Sequence, residues 1–327
     1  MRLGTVSVAC AVVPLIGASL DAQQSRTFPA NGGPEWAAVQ QALGGKGTMQ
    51  PGNVLKFSFP RSDLEVTAAG VRLKAPLALG SWVAFKRMGA TASATTMVMG
   101  DLVLTEDEVE PVMLALQQNG VEQTAVHNHL LHESPRVMYM HIMAHGDGAK
   151  IAASIRSALA QSATPLPALS ATADPAGSGG GNPPAAASAA PTAIDLDTAA
   201  IAHALGASGK VNGGVYQVSI PRRERVTDHG MEIPPSMGVA TAINFQPTGA
   251  GKAAITGDFV RVASEVISVL RALREHGIEV TAVHSHMLTE SPRLFFMHFW
   301  ANEDAVTLAG GLRAALDRMA VKRPPAH

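Results

Sequence analysis

The strongest constraint on this chain is that its most chemical phrase is written twice. His127, His129, Glu133, the run Ser134-Pro135-Arg136 and His141 recur as His284, His286, Glu290, Ser291-Pro292-Arg293 and His298, each member 157 residues after its partner. A fixed offset across so many positions predicts two related domains rather than one large one. The agreement extends beyond the histidines. Ala37 to Gly44 resembles Thr198 to Gly206, each a short helix halted by glycine, and Phe57 to Arg61 resembles Val218 to Arg222, each an alternating strand closed by Pro-Arg.

A chain of 327 residues with an apolar fraction of 46% can bury two cores. Residues 1–22 read as a secretory signal peptide. Arg2 precedes a charge-free run from Leu3 to Leu20, and Asp21 ends it, with a cut expected after Ala22. Removal of this segment leaves no stable membrane insertion and implies a periplasmic or extracellular protein. The sole cysteine, Cys10, lies inside the run, so the mature protein would lack thiols and would hold a metal through nitrogen and oxygen ligands. A net charge of −1 gives no basic face with which to grip nucleic acid.

Residues 161–193 are Ala, Pro, Gly and Ser almost throughout and read as a linker. It separates a first repeat domain, 23–160, from a second, 194–327. In the second, Ala253 to Val262 is expected as a strand, Ser264 to His276 as a helix ended by Gly277, Ile278 to Leu288 and Leu294 to Trp300 as strands, and Glu303 to Met319 as a helix. The first repeats that order, with strands Val121 to Leu131 and Val137 to Met143. The expected fold is α+β, two homologous domains with antiparallel or mixed sheets and helices mainly on one face. The halves can form an intramolecular pseudo-dimer with sheets joined about a two-fold axis, or hang as beads on the linker.

Strand alternation gives the histidines a geometry. His127 and His129, two apart, project from one face. A three-residue hairpin would set His141 opposite His127, and a five-residue hairpin opposite His129; an even loop would send it to the wrong face. Three imidazoles and a carboxylate are a ligand set for a divalent transition metal, zinc first, with copper, iron, manganese and nickel compatible. The expectation is one such site per repeat: His127, His129, Glu133 and His141, then His284, His286, Glu290 and His298. The competing reading makes the histidines hydrogen-bonded core groups and Glu-Ser-Pro-Arg a turn. Asp101 and Asp258, also matched, are candidates for a catalytic base or for orienting an imidazole, and Arg136 and Arg293 for holding an anionic ligand. Met138 and Met140 stand opposite in parity to His141 and read as core.

The paired segments His127 to His141 and His284 to His298 resemble the LppY/LpqO family, exported bacterial proteins built on a domain of unknown function. The resemblance covers both repeats. It implies export and, from relatives named as peptidoglycan-binding lipoproteins, a cell-envelope component or small molecule as partner. Three functions remain open: an exported metal-binding protein, a metal-dependent hydrolase of the cell envelope in which the histidines polarise a water, and a peptidoglycan- or carbohydrate-binding module.

Overall fold

The structure, a computed structural model, describes residues 32–89, 95–169 and 193–322. The expected signal peptide and most of the linker lie outside these residues. Each repeat forms a six-stranded antiparallel sheet. In the first, strands Thr48–Gln50, Val54–Pro60, Gly80–Arg87, Thr96–Thr105, Val137–Gly146 and Glu122–His127 lie side by side in that order. The second has the same order, Lys210–Asn212, Val215–Pro221, Ala240–Gly249, Lys252–Arg261, Phe295–Asp304 and Glu279–His284. The strand carrying the first histidine of each pair is therefore an edge strand in both repeats.

Helices Ala37–Leu43, Glu106–Gln118 and Gly148–Leu159 cover one face of the first sheet, and Thr198–Leu205, Ala263–Glu275 and Ala305–Leu316 cover one face of the second. Their ends follow from local chemistry. Glu108 Oε2 accepts the Thr105 N–H at 2.9 Å, and Glu265 Oε2 accepts the Val262 N–H at 3.0 Å, satisfying a donor at each helix start. The same two carboxylates receive buried Arg61 and Arg222, whose guanidinium groups also donate to the carbonyls of Val103 and Val260. The repeated Pro-Arg thus ties each helix start to its sheet. Gly120 and Gly277, at φ 69° and 72°, take the left-handed turn that releases the chain into the histidine strands.

The other faces of the two sheets meet. This fits the pseudo-dimer expectation, with one difference: the sheets pack face to face instead of joining edge to edge. Alternation explains why both faces are apolar. Along Val137–Gly146, Met140 and Ile142 enter the helix-covered core, while Tyr139 and Met143 enter cores shared by the repeats. There are two such shared cores. One joins Met97, Met99 and Met143 to Val226, Met287 and Phe296; the other joins Leu77, Leu130 and Tyr139 to Val215, Ala254 and Trp300. Cross-repeat hydrogen bonds add to them: Gln246 accepts the Lys74 N–H at 2.7 Å, Gln217 donates to the Pro76 carbonyl at 2.7 Å, and Asn244 to the Leu77 carbonyl at 3.1 Å. Residues 163–167 lie against the first repeat, with Thr164 buried and Arg156 donating to the Pro167 carbonyl.

Candidate metal centre

The connection between the histidine strand and its partner is longer than the tight hairpin expected. Strand Glu122–His127 ends at His127, so His129 lies beyond it, and Glu133–Ser134 leaves to pair with Thr67–Ala68 in a separate small sheet. Asp228 and Thr227 receive Glu290–Ser291 in the same way. The register changes accordingly. His141 lies opposite Ala125, and His127 opposite Tyr139, with an irregularity between Gln123 and Ala125. His141 is thus displaced by two residues from a pairing with His127 and by four from one with His129, which keeps the parity and the face. His298 lies opposite Ala282 in the matching arrangement.

That common face points at the other repeat, and there the six histidines interleave. Ring centroids of His127 and His284 are 3.7 Å apart, those of His129 and His298 3.8 Å, and those of His141 and His286 3.6 Å. Every close pair takes one imidazole from each repeat. The geometry is one shared cluster where the sequence suggested one site per repeat. Two overlapping groups have ligand atoms all within 4.8 Å of one another: His127, His284, His286 and His298, and His127, His129 and His141. His127 belongs to both.

The Nε2 atoms of all six are buried without a hydrogen-bond partner. Three tautomers follow from the contacts of Nδ1, which lies 3.3 Å from the Asn128 carbonyl in His127, 3.4 Å from that of Ser285 in His284, and 3.0 Å from that of Gly257 in His298. A carbonyl only accepts, so Nδ1 carries the proton and Nε2 presents its lone pair. Burial also keeps the rings neutral. It lowers the pKa of His127 to about 3 and of His284 to about 4, and holds His129, His141, His286 and His298 well below the ordinary value, with neighbouring imidazoles adding to the effect. Neutral imidazoles with free Nε2 atoms are the form that binds a transition metal.

Two reciprocal hydrogen bonds hold the cluster across the repeats. Thr124 Oγ1 donates to the His286 carbonyl at 2.6 Å, and Thr281 Oγ1 donates to the His129 carbonyl at 2.6 Å. This exchange of equivalent contacts is what a two-fold relation requires. Sequence reasoning passed over the threonines, although Thr124-Ala125-Val126-His127 and Thr281-Ala282-Val283-His284 repeat at the same offset. Tyr139 stacks on His129, and Phe296 stacks on His286 at 3.6 Å, so each ring covers an imidazole.

The other candidates fall around the cluster. Asp101 lies opposite His141 in the ladder and Asp258 opposite His298. Asp101 Oδ1 is 3.8 Å from His141 Nε2, and Asp258 approaches His286 Nε2 and His298 Nδ1 at 3.7 Å each. Burial raises the Asp101 pKa to about 7 against the pull of Lys56, and raises that of Asp258 well above its usual range against Arg261. Glu133 and Glu290 are not in either close group. Their Oε1 atoms accept the N–H of Val137 at 3.0 Å and of Leu294 at 2.8 Å, closing the turn four residues on. Arg293 donates to the Met287 and Leu288 carbonyls and to Glu290, while Arg136 pairs with Glu106 at 3.5 Å on the surface. Glu-Ser-Pro-Arg is thereby the brace of the excursion. His145 sits on an exposed strand end, edge-on to His229 at 6.5 Å.

Among solved structures, the chain is similar to the trimeric bacterial microcompartment shell protein PduB, at 14% identity and a TM-score of 0.20, covering 83% of this chain and 93% of that one. It is also similar to EtuB from Clostridium kluyveri, at 9% identity and a TM-score of 0.19, covering 82% and 89%. Scores of this size carry no argument about fold or function. No curated protein matches the chain. A family profile matches it twice, over residues 37–161 and 199–318, which are the two repeats that meet at the histidines. The chain belongs to the family described as Domain of Unknown Function (DUF1259), present here as a tandem pair.

Proposed function

We propose that this is an exported metal-binding protein with a single centre built jointly by His127, His129, His141, His284, His286 and His298. The observation that carries the reading is the set of six buried Nε2 atoms without partners. Leaving that many polar atoms unsatisfied costs about 1–3 kcal/mol each, a cost that a cation bound by either close group offsets in part. His127 offers one Nε2 to two overlapping groups, so the centre takes one ion per chain at full ligation. Asp101 and Asp258 place carboxyl oxygens beside the imidazoles. Export rests on the pattern of residues 1–22 and on the LppY/LpqO resemblance.

A cavity of about 10 Å³ touches His141 and His286. It has room for one water-sized species. This favours holding an ion, or chemistry on a very small molecule, over hydrolysis or binding of a cell-envelope polymer at this centre.

The test is titration of the dialysed chain with Co(II) and with Zn(II), reading the Co(II) d–d bands and calorimetric stoichiometry. One ion per chain is expected, with binding lost in His127→Ala and retained in His145→Ala. Binding of neither ion would overturn the proposal, as would binding indifferent to His127.

A further inference from the structure

The two shared cores are equivalent by the repeat, yet their chemistry differs. Met97, Met99, Met143, Met237 and Met287 are buried in one, and Met88 and Met231 pack against it, half of the fourteen methionines of the chain. The other core contains no methionine among the described residues. Position by position, the partners of Met97, Met99 and Met143 are Ala254, Thr256 and Trp300, and that of Met287 is Leu130, all at the offset of 157. Met237, in the short helical turn Pro235–Met237, matches Leu77 in Ala75–Ala78.

This methionine-rich core adjoins the histidines. Met99 is two residues from Asp101, and Met143 two from His141, so each shares the inward face of its strand with a member of the centre. The cavity of about 10 Å³ lies where the two meet, lined by His141, His286, Met99, Met237 and Met287 together with Trp82. His141 Nε2 and His286 Nε2 are among the unpartnered atoms. Three methionines and two histidines lining a space of one atom or water offer a soft donor set, and thioether sulfur selects Cu(I) over divalent ions that prefer nitrogen and oxygen. Methionine also fills irregular cores for packing alone, and leucine at the positions equivalent to Met237 and Met287 shows that packing there does not require sulfur.

We infer that the methionine-lined end of the histidine cluster is a Cu(I) subsite, held by His141 and His286 with thioethers from Met99, Met237 and Met287. The inference rests on the metal-centre reading and specifies its ion. It places copper on one side of the pseudo-two-fold axis, so the centre is chemically asymmetric although its histidines are not. Cu(I) accepts low coordination numbers, so a subset of these donors suffices.

The experiment uses the full chain, with Cu(I) supplied as its bicinchoninate complex and Co(II) titrated in parallel. The variant is Met99→Leu/Met237→Leu/Met287→Leu, near volume-conserving changes of which two install the residue found at the equivalent position. The expected result is a Cu(I) affinity lower by about 10-fold or more, with Co(II) affinity unchanged. Unchanged Cu(I) affinity in the variant overturns the soft-metal inference while Co(II) binding keeps the metal centre standing. Failure of the unmodified protein to bind either ion overturns both. Selenium-edge absorption on selenomethionine-labelled protein loaded with Cu(I) reads the same contact without a variant: copper neighbours at selenium are expected, and their absence overturns the inference.

Discussion

The threonine clasp makes the most direct test of a centre that exists only when the repeats are together. Thr124→Val and Thr281→Val keep the branched shape and remove the hydroxyls that donate to the His286 and His129 carbonyls at 2.6 Å. Each change leaves a half-buried carbonyl without its donor, at a cost of about 1–3 kcal/mol. Combined independently, the two cost about 2–6 kcal/mol, a large part of the 5–15 kcal/mol that holds an ordinary domain folded. Trp82 and Trp300 lie at opposite shared cores, so their fluorescence reports separation of the repeats in urea. The double variant should lower the urea midpoint with little change in slope, and should weaken Co(II) binding by about 10–100-fold, because the clasp fixes the backbone of two ligands. Saturating metal should restore part of the loss, about 2.7 kcal/mol at one hundred times the dissociation constant. A double variant within about 0.5 kcal/mol of the parent, the range of ordinary surface changes, would refute the view that these bonds join the halves of the centre.

Three further outcomes follow from the same geometry. The imidazole pKa values lowered by burial, to about 3 in His127 and about 4 in His284, contribute stability present above the free value near 6.5 and lost as pH falls toward them. Asp101 and Glu133, each raised to about 7, and Asp258, raised well above its usual range, act oppositely, but six histidines outnumber the three carboxyls, so calorimetry should find the metal-free melting temperature lower at about pH 5 than at about pH 7. Equal melting temperatures would mean that the rings are solvated. Arg261 is wholly buried with Nε, Nη1 and Nη2 unbonded, and burial lowers its pKa to about 10; its equivalent is Leu104, a core residue. Arg261→Leu should therefore raise stability by about 1–3 kcal/mol in urea unfolding, and a loss would show that its attraction to Asp258 and Glu265 dominates. Glu133→Ala should lower stability by removing the acceptor of the Val137 N–H, measurable by urea unfolding, while leaving Co(II) stoichiometry unchanged; a lost ion would return Glu133 to the ligand set.

Local pattern carried the elements and failed at the connection between them. The helix Ala263–Glu275 and the strands flanking the motif were legible because each is written in a few consecutive residues, as apolar spacing, a Glu in the first helical turn and a glycine just past the helix end. The register of His141 was not, because it depends on Glu133–Ser134 pairing with Thr67–Ala68, far back in the chain. Glu133 is ambiguous for a local reason: a carboxylate four residues from a histidine strand has the spacing of a ligand and also that of a turn acceptor. The geometry brings its Oε1 to the Val137 N–H.

The larger omission concerns what a face meets. Parity correctly sends three histidines of each repeat to one side of a sheet, but periodicity is blind to the surface on that side. Two isolated domains would turn those imidazoles to water, and each could assemble only its own three. Face-to-face packing interleaves them instead, and the reciprocal bonds from Thr124 and Thr281 fix which histidine neighbours which. Duplication within one chain adds a freedom that a symmetric dimer lacks, since equivalent positions can diverge. Methionine gathered in one shared core, and leucine, alanine and tryptophan in the other, are that divergence beside an almost symmetric set of ligands. If the cluster holds a metal as proposed, covalent linkage of the repeats gains a chemical use: it lets one end of a two-fold cluster be softer than the other.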